Sequence, residues 1–346
     1  MNKDFEVILK NIETSLAAAL PKKSSSAWNE ASFGNLPEGA SNEYIDKLIE
    51  PNKRLVDLGG KRWRPLLMML CYKMAKKEGL ALSEEEAYSL TPLVEFVHTA
   101  SLIHDDIEDS ADLRRGQPAA HITYGLDTAL NAASWLYFEA PVCINSIKAG
   151  DSKKLEFYKI YTKELRRLHL GQAMDIYWHR NPELFPSQKE YLAMVKNKTG
   201  TLASLAAKLG CLAGGLSLED AEEFGSIAAD IGIGFQIIDD VINLTSGNPG
   251  KKRGDDIVEG KKSLPVLIHS EICPADKAKI ADFMKKAGSE GINSPAVENC
   301  IALLETSGCI QKAAELGKKL IEESCAKFNS HEIRELFISM IPENFR

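Results

Sequence analysis

The feature that most restricts this chain is an apolar run that ends in acids. Leu93, Val94, Phe96, Val97, Leu102 and Ile103 lead into Asp105, Asp106 and Asp109, spaced D-D-x-x-D. Such a run reads as a mostly buried helix. Side chains three and four positions apart share a helical face, so the acids crowd one end of it. Carboxylates so placed repel one another and resist dehydration. Either water solvates them at an exposed helix end or a hard divalent cation sits between them, and carboxylate oxygens suit Mg²⁺. Arg114, Arg115 and Gly116 follow at once. Arginines bind phosphate through paired N–H donors, so acids and arginines together point to a metal–diphosphate site.

The pattern occurs twice. Asp239, Asp240 and Asn243 repeat the spacing after Ile227, Ile231, Ile233, Phe235, Ile237 and Ile238. Two clusters, each closing an apolar helix, are far less easily ascribed to chance than one. Carried on facing helices of a bundle, they would hold metal ions from opposite walls of a pocket, and a diphosphate would bridge them.

Helical periodicity covers most of the rest. Residues 4–20 read as an amphipathic helix through Phe5, Ile8, Leu9, Ile12 and Leu16. Residues 21–40, rich in Ser, Gly, Pro and Asn, read as a loop. Ser83 with Glu86, and Ser187 with Glu190, have capping-box spacing. Helical stretches are expected over 127–148, 154–178, 187–213 and 218–245, with no strand-rich segment. The charged, glycine-rich stretch 246–262 suits a loop that closes over phosphates. The expectation is an all-α, single-domain bundle over 1–346, with 1–42 as an N-terminal helix and loop.

The net charge of −7 argues against a nucleic-acid partner or an anionic membrane surface. Seven scattered cysteines without a C-x-x-C pair read as reduced thiols of a cytoplasmic protein. The first residues lack the regions of a signal peptide. No apolar run approaches the roughly 18 residues of a membrane span, so no stable membrane insertion is expected.

From about Glu43 to Pro265 the motif order resembles that of the trans-prenyl diphosphate synthases, which elongate isoprenyl chains head to tail. The segments carrying it are GGKRWRP, the two aspartate motifs, RRG, KNKTG, FQ before the second motif, GKKRGDD and EGKKSLP. The resemblance implies an isoprenoid synthase-type helical bundle around a central cavity, acting as a homodimer on isopentenyl and allylic diphosphates. It implies that Asp105, Asp106, Asp109, Asp239, Asp240 and Asn243 hold three Mg²⁺ ions, with Mn²⁺ as a substitute. Asn243 stands where many members have Asp, which weakens metal affinity there but matches eukaryotic-type geranylgeranyl synthases. Lys61, Arg64, His98 and Arg115 carry over as ligands of isopentenyl diphosphate, with Arg62 nearby. Arg114, Lys198 and Lys261 carry over to the allylic diphosphate, and Lys251 belongs to the same basic tail. Thr199 and Gln236 would turn oxygens towards the developing cation.

Product length enters through the wall upstream of the first motif. A helix rises about 1.5 Å per residue, so a position five residues back lies about 7.5 Å along it. Ala100 and Ser101 are small there, where farnesyl-type members carry bulky aromatics. Tyr137, Phe138 and His169 match the floor of the eukaryotic-type geranylgeranyl synthases, and GQAMDIYW (171–178) resembles the same group. The expected product is C20 geranylgeranyl diphosphate, with a longer polyprenyl or a C15 farnesyl product as alternatives. A class I terpene cyclase and a non-catalytic partner subunit stay open. The first would need a downstream Glu that DDVINLTSGNP does not offer, and such subunits usually lose one aspartate motif. Glu95 and His98 have the Glu-x-x-His spacing of a di-iron bundle, but no second pair matches it.

Overall fold

The computed structural model describes residues 3–247 and 252–342. These fold as helices joined by short loops, plus one two-stranded ribbon. The chain forms two compact units. The first comprises residues 1–163 and 205–224, and the second 164–204 and 225–346.

In the first unit α1 (Lys3–Ala19) buries Phe5, Ile8, Ile12 and Leu16, the apolar stripe of an amphipathic helix. Residues 26–33 form a helix, α2 (Ser26–Phe33), where the composition had pointed to a loop. Ser25 caps it by accepting the Trp28 N–H, and Trp28 and Phe33 pack with Trp135 at centroid separations near 6 Å. That aromatic cluster is a tertiary contact, which composition over the segment cannot register. Then come α3 (Asn42–Asp57), α4 (Trp63–Ala75) and α5 (Glu84–Ser89), the last opened by the expected Ser83–Glu86 capping box. Helix α6 (Pro92–Glu108) starts on a proline, whose missing N–H costs nothing at a first turn. It is buried along most of its length and ends in the first aspartate motif.

A two-residue ribbon follows, β1 (Leu113–Arg114) against β2 (Gln117–Pro118). Its turn residues, Arg115 and Gly116, both have positive φ, 53° and 74°, the backbone a tight right-twisting hairpin demands. Next are α7 (Ala120–Tyr124) and α8 (Leu126–Glu139), with α8 packed on α3 and α6. The helix expected over 127–148 gives way at Ala140–Val142 to a 3₁₀ turn, followed by α9 (Cys143–Ser146). Pro141 has no N–H to continue the ladder. Helix α10 (Asp151–His179) begins here and ends in the second unit.

The second unit contains α11 (Gln188–Val195), opened by the Ser187–Glu190 capping box. The helix expected over 187–213 is interrupted: Lys196–Gly200 form a π-turn before α12 (Thr201–Ala213), most of which is counted in the first unit. The unit also holds most of α13 (Leu218–Thr245), then α14 (Asp255–Val258), α15 (Leu264–Ile272), α16 (Lys277–Glu290), α17 (Pro295–Thr306), α18 (Cys309–Cys325) and α19 (His331–Met340). Its core gathers Trp178, Tyr191, Ile237, Val241, Leu244, Leu264 and Leu267. Among the described residues, no helix is long and apolar enough to cross a membrane.

Candidate active site

In the first unit, Asp105 and Asp109 lie one helical turn apart at the end of α6 and are partly exposed. Asp106 faces inward and is 1% exposed. Its Oδ1 accepts the Arg114 Nε–H at 2.8 Å and a second bond from Nη2, while Oδ2 is buried without a partner. Burial raises the Asp106 carboxyl above the ordinary range, and the Arg114 hydrogen bonds oppose this. The ribbon that carries Arg114 thus folds back onto the motif. Arg114 also stands 3.7 Å from Asp105.

The next residue points elsewhere. Arg115 donates to the Leu55 and Gly59 carbonyls at the end of α3. A Cβ at Gly60 would stand 3.1 Å from its Nη2, so the paired glycines of GGKR give this guanidinium room against the backbone. In the same loop Arg62 adopts φ 47° and turns into the protein. It donates to Glu95 at 2.6 Å, to the Val56 carbonyl at 2.6 Å and to Glu13 at 2.7 Å. Arg62, noted at sequence level only as a neighbour of the phosphate ligands, is a buried ion-pair partner, and so is Glu95. Lys61 stays exposed.

Arg64 stacks on Trp63 and approaches His98 Nε2 at 3.3 Å. Burial, and then the charge of Arg64, hold the His98 imidazole well below its ordinary pKa. A guanidinium only donates, so Nε2 accepts and the proton sits on Nδ1. His98 is therefore neutral and orients Arg64, adding no charge of its own.

The chain-length candidates separate. Ala100 is fully buried and Ser101 partly so. Tyr137 is buried and stacks on His104 at 5.4 Å. His104 in turn contacts the Ala100 carbonyl at 2.8 Å and Ser134 Oγ at 3.2 Å. Phe138 is 78% exposed and His169 is exposed. Neighbours in a helix point about 100° apart, so Tyr137 and Phe138 cannot both face one interior. Of the three residues expected to form a floor, only Tyr137 is buried, and it stacks on His104, a residue that sequence reading missed. A cavity of about 970 Å³ also lies in this unit, lined by Ala18, Trp28, Tyr88, Phe96, Glu139 and Cys143 among others. None of the expected site residues lines it. Burial raises the Glu139 carboxyl to about 7, against the pull of its Ser32 hydrogen bond.

In the second unit the motif is used differently. Asp239 is exposed, but Asp240 is buried with both oxygens engaged. Tyr191 Oη donates to its Oδ2 at 2.6 Å, the Leu264 N–H to the same oxygen at 3.1 Å, and Gln236 to Oδ1 at 3.1 Å. Asn243 is fully buried. Its Oδ1 accepts the Asp256 N–H at 3.3 Å and its backbone carbonyl accepts the Gly254 N–H at 2.8 Å, while Nδ2 has no partner. Asp240 and Asn243, expected as metal ligands, hold the starts of α15 and α14 through these bonds. Helical geometry decides this, because α13 must bury Ile237, Val241 and Leu244 and carries 240 and 243 inward with them.

Lys198 and Thr199 lie in the π-turn. Lys198 pairs with Asp175 of α10 at 2.6 Å, and Thr199 Oγ1 donates to Gln236 Oε1 at 2.9 Å. A Cβ on Gly171 would stand 2.2 Å from the Lys198 nitrogen. Only glycine lets α10 approach the widened turn so closely, and π-turns recur at functional sites. The visible signals for Asp175 and Gly171 lay in GQAMDIYW, a segment assigned only to product length. Lys261 pairs with Glu259. Lys251 lies outside the described residues.

Among those residues, neither aspartate motif gathers three His, Cys, Asp or Glu ligand atoms within 4.8 Å. The first motif nonetheless suits a hard cation. It combines the carboxylates of Asp105 and Asp109 with the buried, unpartnered Oδ2 of Asp106.

A family model described as polyprenyl synthetase matches residues 45–302. The chain belongs to the polyprenyl synthetase family. It is 36% identical over 292 residues to a geranylgeranyl pyrophosphate synthase of Macrophomina phaseolina, covering 83% of this chain and 84% of that protein. It is also 36% identical over 265 residues to a short chain isoprenyl diphosphate synthase of Methanocaldococcus jannaschii, covering 76% and 77%. The geranylgeranyl pyrophosphate synthetase structure from Pyrococcus horikoshii superposes with a TM-score of 0.80 at 26% identity, over 97% and 96% of the two chains. A polyprenyl synthase structure from Caulobacter crescentus, described as complexed with calcium and isoprenyl diphosphate, shares the fold at TM-score 0.73 and 23% identity, over 96% of this chain and 92% of that one. The all-α isoprenoid synthase fold and a trans-prenyltransferase activity follow from this membership.

Proposed function

We propose that this polyprenyl synthetase condenses isopentenyl diphosphate head to tail with allylic diphosphates up to C20 geranylgeranyl diphosphate, as a Mg²⁺-dependent cytoplasmic homodimer. In this reading both compact units belong to one catalytic domain. The observation that carries it is that each unit holds an aspartate motif with a solvent-facing carboxylate together with cations of opposite charge. These are Asp105 and Asp109 with Arg114, Arg64 and Lys61 in the first unit, and Asp239 with Lys198 and Lys261 in the second.

Breaking the allylic carbon–oxygen bond places negative charge on the leaving diphosphate, and stabilising that charge lowers the barrier. Asp105, Asp106 and Asp109 in the first unit, and Asp239 in the second, would hold Mg²⁺, which when bound would supply Lewis-acid stabilisation of diphosphate oxygens. Arg114 and Lys198, each pre-positioned by an acid, grip the allylic diphosphate. Arg64, oriented by neutral His98, and Lys61 grip isopentenyl diphosphate, beside the loop that Arg115 braces. Thr199 and Gln236, fixed to each other, present oxygens towards the cation. Ala100 leaves room for the growing chain, and Tyr137 on His104 stops it.

The test is product sizing from purified protein, Mg²⁺, labelled isopentenyl diphosphate and each of the C5, C10 and C15 starters. A C20 ceiling that lengthens in Tyr137→Ala supports both the activity and the stop. A C15 ceiling, or an unchanged length in Tyr137→Ala, overturns the assignment of product length. No elongation from any starter overturns the catalytic reading.

A further inference from the structure

At the other end of α15 from Asp240, three chemically different ligands converge. His269 lies in the last turn of α15, Cys273 caps it, and Asp276 ends the 3₁₀ turn that follows. Among the described residues, this is the one set of three His, Cys, Asp or Glu side chains whose ligand atoms all lie within 4.8 Å of one another. Two backbone bonds set the geometry. The Cys273 N–H donates to the His269 carbonyl at 2.7 Å, and the Asp276 N–H to the Cys273 carbonyl at 3.0 Å. An H-x₃-C-x₂-D spacing folded in this way brings nitrogen, sulfur and oxygen together within eight residues. None of the three belongs to the diphosphate site.

We propose that His269, Cys273 and Asp276 form a zinc-binding site. His269 Nε2 and Asp276 Oδ2 are 3.0 Å apart. Two such ligands on a tetrahedral zinc, each at about 2.0–2.1 Å, stand about 3.3 Å apart, so only a small opening of the pair admits the ion. On the far side of the ring, Nδ1 lies 2.8 Å from Ser307 Oγ. A partner on the other ring nitrogen fixes the orientation and tautomer of a metal-bound histidine. His269 is buried, whereas Cys273 and Asp276 are partly exposed. That leaves an entry path and a fourth position for water. A thiolate among the ligands selects zinc over Mg²⁺, which prefers an all-oxygen shell. The ion would pin the end of α15 to the 3₁₀ turn before α16, while His269 is bonded to Ser307 at the end of α17. Its role is structural, because none of the three ligands, nor Ser307, is one of the motif residues.

The test uses the full chain, purified reduced and stripped of metal, with excess Mg²⁺ present to occupy the aspartate motifs. Cobalt(II) is titrated in, and the thiolate-to-cobalt charge-transfer band is recorded. The expected result is a band that saturates at one cobalt per chain and is removed by one equivalent of zinc. Cys273→Ser should abolish the band, and Asp276→Asn should weaken cobalt binding by roughly 10–100-fold. Both positions are partly exposed, and metal-free circular dichroism of each variant should match the parent. Cys143→Ser and Cys325→Ser should leave the band intact. Absence of a band in the parent, its survival in Cys273→Ser, or its loss in either control variant overturns the proposal, leaving only a His269–Asp276 hydrogen bond.

Discussion

The two aspartate motifs share a spacing but differ in what surrounds it. At the end of α6 the motif stops with its helix, and Asp109 is the capping residue. Two carboxylates remain partly exposed and the third keeps an unpartnered oxygen. In α13 the helix continues for two residues beyond Asn243, with core on both sides of it. Only Asp239 reaches solvent, and the other two positions hold neighbouring segments. The same five-residue pattern is therefore mostly solvent-facing in one unit and mostly an anchor in the other. The difference also accounts for Asn243. A fully buried side chain that accepts one backbone N–H is cheaper as a neutral amide than as a carboxylate, whose dehydration costs several kcal/mol.

The sharpest way to break this comparison is to neutralise the exposed acids. Asp105→Asn and Asp239→Asn should each lower kcat by roughly 10²–10³-fold, about 3–4 kcal/mol, with little change in stability. Single-turnover rates and melting curves would check this, and a large loss of stability in either would contradict it. Asp240→Ala should do the reverse. It strands the Tyr191 hydroxyl, the Leu264 N–H and the Gln236 amide, and should cost about 3 kcal/mol of stability, read by denaturant unfolding.

Glu139, in the cavity of the first unit, tests burial where no motif is involved. Its folded pKa, about 7, lies above the unfolded value near 4.5, so the folded state holds its proton longer. Stability is thus unaffected below about pH 4.5, falls as pH rises to about 7, and keeps a constant penalty of up to about 3 kcal/mol above it. Glu139→Gln should match the parent at about pH 4 and exceed it at about pH 8. Equal stability of the two at both pH values would sink this account. The smallest effect is expected of Asn243→Asp, which restores the commoner motif. It should destabilise the protein by about 1–2 kcal/mol and leave the Mg²⁺ dependence of the rate unchanged. Tighter Mg²⁺ activation would show that position 243 reaches the metal after all.

Much of the molecule was legible beforehand because the governing interactions are local. Helical period, two capping boxes and the apolar stripe of α1 depend on residues three or four apart. The motif order is read along the chain, and it resembles that of the family to which the chain belongs. What the sequence could not state is where each side chain of a motif points. Arg62 and Arg64 are two residues apart, yet one is buried on Glu95 and the other leans on His98. Arg114 and Arg115 adjoin, yet a tight turn sends one to Asp106 and the other to the α3 carbonyls. The π-turn under Lys198 fits against α10 because Gly171 of that helix, 27 positions earlier, has no Cβ to block it. Spacing fixes which residues a helix can present together. Which of them the core consumes depends on what packs against that helix, and only the tertiary structure decides it.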